Sequence, residues 1–150
     1  MTTMATIQDF VGQRTLAIAG VSRGKGKFGQ LARRELEKRG YKLHVVHPQA
    51  KEIGGRPCFA DFKSLPEQVG GALIVLPPAR ATEAVRQALD AGIRRIWLQQ
   101  GAESPEAIAL CRERDAALVH ERCILMFAQP VGFPHSMHRW FAKLSRRWPR

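Results

Sequence analysis

The 150-residue chain is short of cysteine, of acid and of long apolar runs, and each shortage closes off a class of function. Its three cysteines, Cys58, Cys111 and Cys123, are odd in number and widely spaced. They read as reduced thiols in a cytoplasmic compartment, and no Cys/His spacing resembles a zinc site, so no metal is expected. No apolar run approaches the roughly 20 residues that span a bilayer. Residues 1–10 lack the basic start and apolar core of a secretory signal. Carboxylates are scarce: 13 Asp and Glu face 24 Lys and Arg, for a net charge of +11. No paired carboxylates stand out for acid–base chemistry; Glu103 and Glu106 fit better as charges at a helix start.

What is present describes a soluble domain with its own core, since 45% of residues are hydrophobic and 25% charged. The positive charge is uneven. Residues 129–150 hold Arg139, Lys143, Arg146, Arg147 and Arg150 and no acid, which leaves +6 on the first 128 residues. The chain divides accordingly into a domain over residues 1–128 and a basic amphipathic extension over residues 129–150. Basic charge suits nucleic acid, an acidic lipid surface or a polyanionic small ligand, and composition does not choose among them.

The chain is organised around Leu16-Ala-Ile-Ala-Gly-Val-Ser-Arg-Gly-Lys-Gly-Lys-Phe-Gly29. A short apolar run leads into a loop holding Gly20, Gly24, Gly26 and Gly29, and then into the helical pattern of Gln30 to Arg39. Strand, glycine-rich loop, helix is how doubly wound folds hold a phosphate. Glycine lets backbone approach the anion, and the free N–H groups at the helix start favour negative charge. Arg23, Lys25 and Lys27 add cations to the same loop. Residues Gly24 to Gly29 match G-x-G-x-x-G by letter, but the glycine at the strand end is Gly20, so the loop is longer than a dinucleotide fingerprint. Phosphate binding is indicated; NAD specificity is not.

Along the chain, Thr6 to Val11 reads as a short helix with Thr6 as cap and Asp9 in its first turn. A first strand is expected over about Thr15 to Gly20. The helix that follows should turn Leu31, Ala32 and Leu36 inward and Arg33, Arg34, Glu37 and Lys38 to solvent, ending at Gly40. Strands follow at Tyr41–Val46, around Arg56–Phe59, and at Ala72–Leu76, Arg95–Leu98 and Ala117–His120. Ser64–Glu67 reads as a turn or one helical turn. Helices are expected over Ala79–Ala91, ending at Gly92, and from Pro105, with Ser104 as cap. This alternation predicts an α/β fold, a doubly wound, mostly parallel sheet in three α/β/α layers. Ligands of such sheets bind beyond the carboxyl ends of the strands. The loops after Gly20, His47, Leu76 and Gln99 should therefore meet at one crevice.

The second strand ends Val46-His-Pro-Gln-Ala-Lys51, without the acid that NAD domains use to hold the ribose hydroxyls. Neutral and basic groups there tolerate a phosphate on the ribose, as in coenzyme A or NADP.

Several pieces together resemble the CoA-binding domain family, small stand-alone Rossmann-like proteins similar to the N-terminal domain of the succinyl-CoA synthetase alpha subunit. They are Ala19-Gly-Val-Ser22 with Lys27-Phe-Gly29, Gly40-Tyr-Lys before Val46-His-Pro48, Ser64-Leu-Pro66, Val75-Leu-Pro-Pro78, Trp97-Leu-Gln-Gln-Gly-Ala102 and Val119-His-Glu-Arg-Cys123. His47 replaces an asparagine expected before the proline, and Gln100 a proline. The resemblance implies that Gly20, Ser22, Arg23, Lys25, Lys27, Phe28 and Gly29 cradle the CoA pyrophosphate. His47, Pro48 and Lys51 would lie near the adenosine and its 3′-phosphate. Leu76, Pro77 and Pro78, with Gln99, Gln100, Gly101 and Ala102, would line the nucleotide and the pantetheine arm. The bland reading is that the prolines end a strand and the glutamines satisfy loop backbone. The implied ligand is CoA or acyl-CoA, with NADP the weaker alternative.

No reaction is implied. The related synthetase domain depends on a phosphorylated histidine in a different domain, which 150 residues cannot include. His120 and Cys123 could form a Cys/His nucleophile, although residues at a strand end more often pack, and no catalytic residue is assigned. Met137, Trp140, Phe141, Leu144 and Trp148 fall at helical spacing with basic residues between them, entered through Pro130, Gly132 and Pro134. Such a segment suits docking on its own domain or on a second copy in a homodimer, ahead of nucleic acid or an anionic membrane.

Overall fold

A computed structural model of the chain describes residues 2–22 and 28–130. Seven strands form one sheet in the order β3-β4-β2-β1-β5-β6-β7. They are β1 (Thr15–Ala19), β2 (Lys42–Val46), β3 (Glu52–Ile53), β4 (Arg56–Phe59), β5 (Gly71–Ile74), β6 (Arg95–Gln99) and β7 (Ala117–Arg122). Every pairing is parallel except the short hairpin of β3 with β4. Strand order reverses between β1 and β5, because the chain winds outward from β1 through β2 to β4 and returns to the other side of β1.

Alternation of side chains along β1 builds both cores. Leu16 and Ile18 face one layer, Ala17 and Ala19 the other. The first layer contains α1 (Met4–Val11), α2 (Phe28–Lys38) and a one-turn helix, Ile124–Met126. The second contains α3 (Pro78–Asp90) and α4 (Pro105–Glu113), where Ala81, Ala84 and Ala88 pack towards the small residues of β1 and β5. Trp97 is fully buried in the first layer, edge-on to Phe10 at 5.3 Å. These are the three expected layers.

Some local expectations are corrected. The cap of α1 is Thr3, whose hydroxyl accepts the Thr6 N–H, so the helix starts earlier and Asp9 instead pairs with Arg95 at 2.7 Å. On α2, Leu31 is 40% exposed and Arg33 is buried. Arg33 lies beside the β3–β4 turn, where a Cβ on Gly54 would stand 3.1 Å from its guanidinium, and it is held by Gln30 and Glu37. Gly40 and Gly92 end their helices at positive φ as expected. Ser104 caps α4 by accepting the Ala107 N–H.

Residues 123–129 return from the edge strand across the first layer, packed against α2. Arg39 donates to the carbonyls of Leu125 and Ala128, and Arg14 to those of Gln129 and Arg39. The Arg14 guanidinium also lies 3.7 Å over the Tyr41 ring, whose hydroxyl donates to the Val11 carbonyl. Burial pushes the Tyr41 phenol up, although Arg14 and Arg39 pull it the other way. Replacing Arg39 by Met should leave two carbonyls unpartnered and cost about 1–3 kcal/mol in urea unfolding, with Arg39→Lys recovering part of the loss.

Candidate functional site at the carboxyl ends of the strands

The end of β1 is set by backbone contact alone. Gly20 has φ +114, and a Cβ there would stand 2.1 Å from the Val75 carbonyl oxygen. Gly29, buried in the first turn of α2, would place a Cβ 2.5 Å from the Gly20 carbonyl oxygen. Gly20 therefore lets β1 turn against the end of β5, and Gly29 lets α2 start directly above that turn. Ser22 lies between them, and its carbonyl accepts from the Gln30 side chain at 2.7 Å. The N-terminal N–H groups of α2 thus open beside the point where strand order reverses. Arg23, Lys25 and Lys27, expected to supply the cations of this loop, lie outside the described residues.

Beside this turn is a cleft of about 440 Å³, lined by Phe28, Val75, Leu76, Pro77, Gln99, Gln100, Gly101, Ala102 and Cys123. Its size is ordinary for a small-molecule site, about 300–1,000 Å³. Two of the four loops expected to meet do so, those after β5 and β6, and they are joined by Phe28, the first residue of α2. The wall is apolar side chains, two amides and one thiol.

The expected residues divide as follows. Phe28, Leu76, Pro77 and Gln99 to Ala102 line the cleft. Pro78 does not; it is the exposed first residue of α3. His47, Pro48 and Lys51 stand at the end of β2, one strand further out, and do not line the cleft. The His47 Nδ1 accepts the N–H groups of Gln49 and Ala50 at 3.1 and 2.9 Å, so this side chain shapes its own turn. Gln99 is buried, and its side-chain oxygen accepts the Ile124 N–H at 3.1 Å. This bond satisfies loop backbone, and through it Gln99 anchors the segment that carries Cys123. Glu103 accepts the Gly101 N–H at 2.8 Å and shapes the turn at the rim.

Val75 and Cys123 complete the wall and were not assigned from sequence. Cys123 arrives there through an irregularity. β6 advances two residues from Trp97 to Gln99 while β7 advances three from Val119 to Arg122, a bulge with Glu121 at φ +59. β7 consequently runs to Arg122 and delivers Cys123 at the cleft. His120 does not join it; its backbone N–H donates to the Thr2 hydroxyl, away from the lining residues. Cys111 is buried in the second layer, where desolvation pushes its thiol up to about 11.

Strand order reversing at β1 and β5, glycines packed at the start of α2 and a cleft over the carboxyl ends define a Rossmann-like architecture. A family model described as "CoA binding domain" matches residues 14–129, and the chain belongs to that family. Among curated proteins, it is 24% identical over 136 residues to acetate–CoA ligase (ADP-forming) I of Archaeoglobus fulgidus, covering 84% of this chain and 20% of that one. The chain spans about a fifth of the length of the curated relatives it matches. A conserved hypothetical protein of Pyrococcus furiosus superposes with a TM-score of 0.71 at 29% identity, covering 75% of this chain and 97% of its own. The dinucleotide-forming acetyl-coenzyme A synthetase 1 of Ca. Korarchaeum cryptofilum, at 20% identity, shares the fold with a TM-score of 0.65 over 75% of this chain and 27% of its own.

Gly20→Ala should destabilise by about 2–4 kcal/mol in thermal or urea unfolding, because strain at positive φ adds to a backbone clash. Gly55→Ala is the control: φ is +77 but nothing lies within 4 Å of the added carbon. That variant should lose only about 1 kcal/mol.

Proposed function

We propose that the protein binds coenzyme A or an acyl-CoA at this crevice and acts as a binding or sensing module without catalysis of its own. The observation that carries the reading is the Gly20–Gly29 turn at the start of α2, opening onto the cleft, in a chain of the CoA binding domain family. The pyrophosphate would sit on the N–H groups of Gly20 to Gly29, with Ser22 and with Arg23, Lys25 and Lys27 from the loop. The pantetheine arm, a chain of amides and methylenes, suits a wall of Phe28, Leu76 and Pro77 with backbone and amide groups at Gln99 to Ala102. The end of β2, with His47, Pro48 and Lys51, is where the adenosine and its 3′-phosphate would extend. A wall of this kind holds a ligand in place; among the described residues lining it, the Cys123 thiol is the one titratable group.

Isothermal titration with CoA, acetyl-CoA, NADP and NAD at physiological salt tests the ligand. CoA should be preferred, and a Ser22→Ala, Lys27→Ala double variant should lose at least about tenfold in affinity, since charge-assisted contacts to phosphate contribute about 1.5–3 kcal/mol each. Preference for NADP, or no binding of either, would overturn the reading. Alkylation gives a second check. CoA should shield Cys123 from iodoacetamide, while Cys111 stays unreactive in the folded protein with or without ligand.

A further inference from the structure

A second cavity, of about 560 Å³, shares no lining residue with the cleft. It is bounded by the run from Gly40 into β2 as far as Val45, by Arg33 and Glu37 of α2, and by β4. His47, Pro48 and Lys51, at the other end of β2, are not among its lining residues. All the residues that bound it are described, whereas the basic amphipathic stretch after Pro130 lies outside the described residues.

The cavity exists because β4 is too short for its neighbour. β4 pairs with β2 at Val45 and Val46, and the ladder stops there. His47 donates its N–H to the Phe59 carbonyl, so every second residue back along the strand, Val45 and then Leu43, turns its N–H and C=O to the β4 side. Continuing the register would set Leu43 opposite Arg56 and its carbonyl opposite the nitrogen of Pro57, which has no hydrogen to donate. A stretch of sheet edge therefore faces the cavity at Leu43.

Charge in the cavity is unbalanced. Glu37 is the one carboxylate among its lining residues and serves two guanidinium groups. Its Oε2 lies 3.0 Å from Arg56, whereas its Oε1 is 3.6 Å from Arg33 and has no hydrogen-bond partner among the described residues. Arg33 is nine-tenths buried, its Nε is likewise unpartnered, and Gln30 Oε1 accepts from its Nη2 at 3.2 Å. Lys42, the third lining cation, is already paired with Glu67 at 2.6 Å. A buried guanidinium paired so weakly carries a desolvation cost that a further anion would offset. The rest of the lining is largely apolar: the His44 ring stands edge-on to Phe59 at 5.8 Å, with Pro57 and Pro66 in the same wall.

We propose that this notch is a second binding site, which takes the carboxylate end of a short extended peptide. The peptide backbone adds to the sheet edge at Leu43, in the place that β4 does not fill. Its terminal carboxylate takes the Arg56 guanidinium and relieves the demand on Glu37, so that two carboxylates serve two arginines. A side chain turned towards Phe59 and Pro66 meets an apolar wall. About three residues, at roughly 3.3 Å each, span the edge from Lys42 to His44. The site does not depend on which ligand the cleft takes.

Titration of the isotope-labelled full chain with acetyl-alanyl-valyl-leucine, as free acid and as carboxamide, tests it by NMR. The acid should give saturable shifts at Leu43, His44 and Arg56, leave Gly101 and Ala102 unmoved, and slow hydrogen exchange at the Leu43 N–H. The carboxamide should bind about tenfold more weakly, the effect of losing a charge-assisted hydrogen bond. Arg56 is more than half exposed, so Arg56→Gln should keep the fold and weaken the acid to a similar degree. Glu37→Gln, which leaves both arginines without their carboxylate, should tighten it severalfold with the far-ultraviolet circular dichroism retained. Equal affinity for acid and carboxamide would overturn the proposal, as would an Arg56→Gln variant that binds like the wild type, or shifts centred on Gly101 and Ala102. N-acetylleucine bound as tightly as the tripeptide would assign the site to a small carboxylate and overturn the peptide.

Discussion

The contact on which the rest of this structure depends is backbone against backbone: the Gly20 carbonyl under Gly29, and Gly20 itself against the Val75 carbonyl. Where two main chains come this close, there is no room for a Cβ. The consequence is directional. With Gly20 turning at φ +114 and Gly29 packed on its carbonyl, the first turn of the helix stands over the carboxyl ends of β1 and β5. A helix start contributes free N–H groups and a partial positive charge only within its first turn. Its usefulness to a phosphate therefore depends on where it is put, and two glycines decide that.

A second constraint holds the opposite side of the cleft. The segment after β7 crosses the first layer without a regular helix long enough to satisfy its own carbonyls. Arg39 and Arg14 supply the missing donors, and Tyr41 lies beneath the Arg14 guanidinium. Carbonyl partners for both guanidinium groups, and the aromatic face under Arg14, offset the cost of desolvating them. Gln99 closes the same seam from the cleft side by accepting the Ile124 N–H. The wall carrying Cys123 is thus pinned at both ends, by an amide at the carboxyl end of the sheet and by arginines nearer its amino end.

The parallel sheet and its helices were legible because apolar runs alternating with amphipathic stretches allow few other arrangements, whereas the strand order with its switch between β1 and β5 comes from the structure. Gly20, Gly29, Gly40, Gly92 and Ser104 could be given roles because each backbone requirement has a characteristic residue. Side-chain facing on α2 was legible in part: Ala32 and Leu36 are buried and Arg34 and Lys38 exposed as expected, and two positions are reversed. Leu31 sits at an interval that reads as core, and Arg33 at one that reads as surface. The β3–β4 hairpin reverses the second by covering Arg33 near Gly54, and no local pattern announces that cover. The bulge at Glu121 was hidden for a related reason. A non-glycine residue at positive φ leaves no compositional mark, so the arrival of Cys123 at the cleft depends on a register that only the paired strands reveal. His47 shows the converse: its position at the end of β2 was right, yet its Nδ1 serves the turn that follows.

The distribution of charge around the cleft separates two tasks. The described wall is neutral, whereas the 23–27 loop carries three of the 24 Lys and Arg of the sequence and residues 129–150 carry five without an acid. A neutral, shape-determined wall discriminates by fit and by hydrogen bonding of amides. Such discrimination is short-ranged and nearly insensitive to salt. Cations on a glycine-rich loop attract any polyphosphate, and that attraction is screened over about 8 Å at physiological ionic strength. For the ligand proposed above, selectivity for one nucleotide over another would come from the wall and from the end of β2, while the loop would govern how tightly any of them is held. Substitutions at Gln100 or Pro77 should accordingly change which ligand is preferred, and substitutions at Lys25 or Lys27 should weaken all of them together and flatten the dependence on salt.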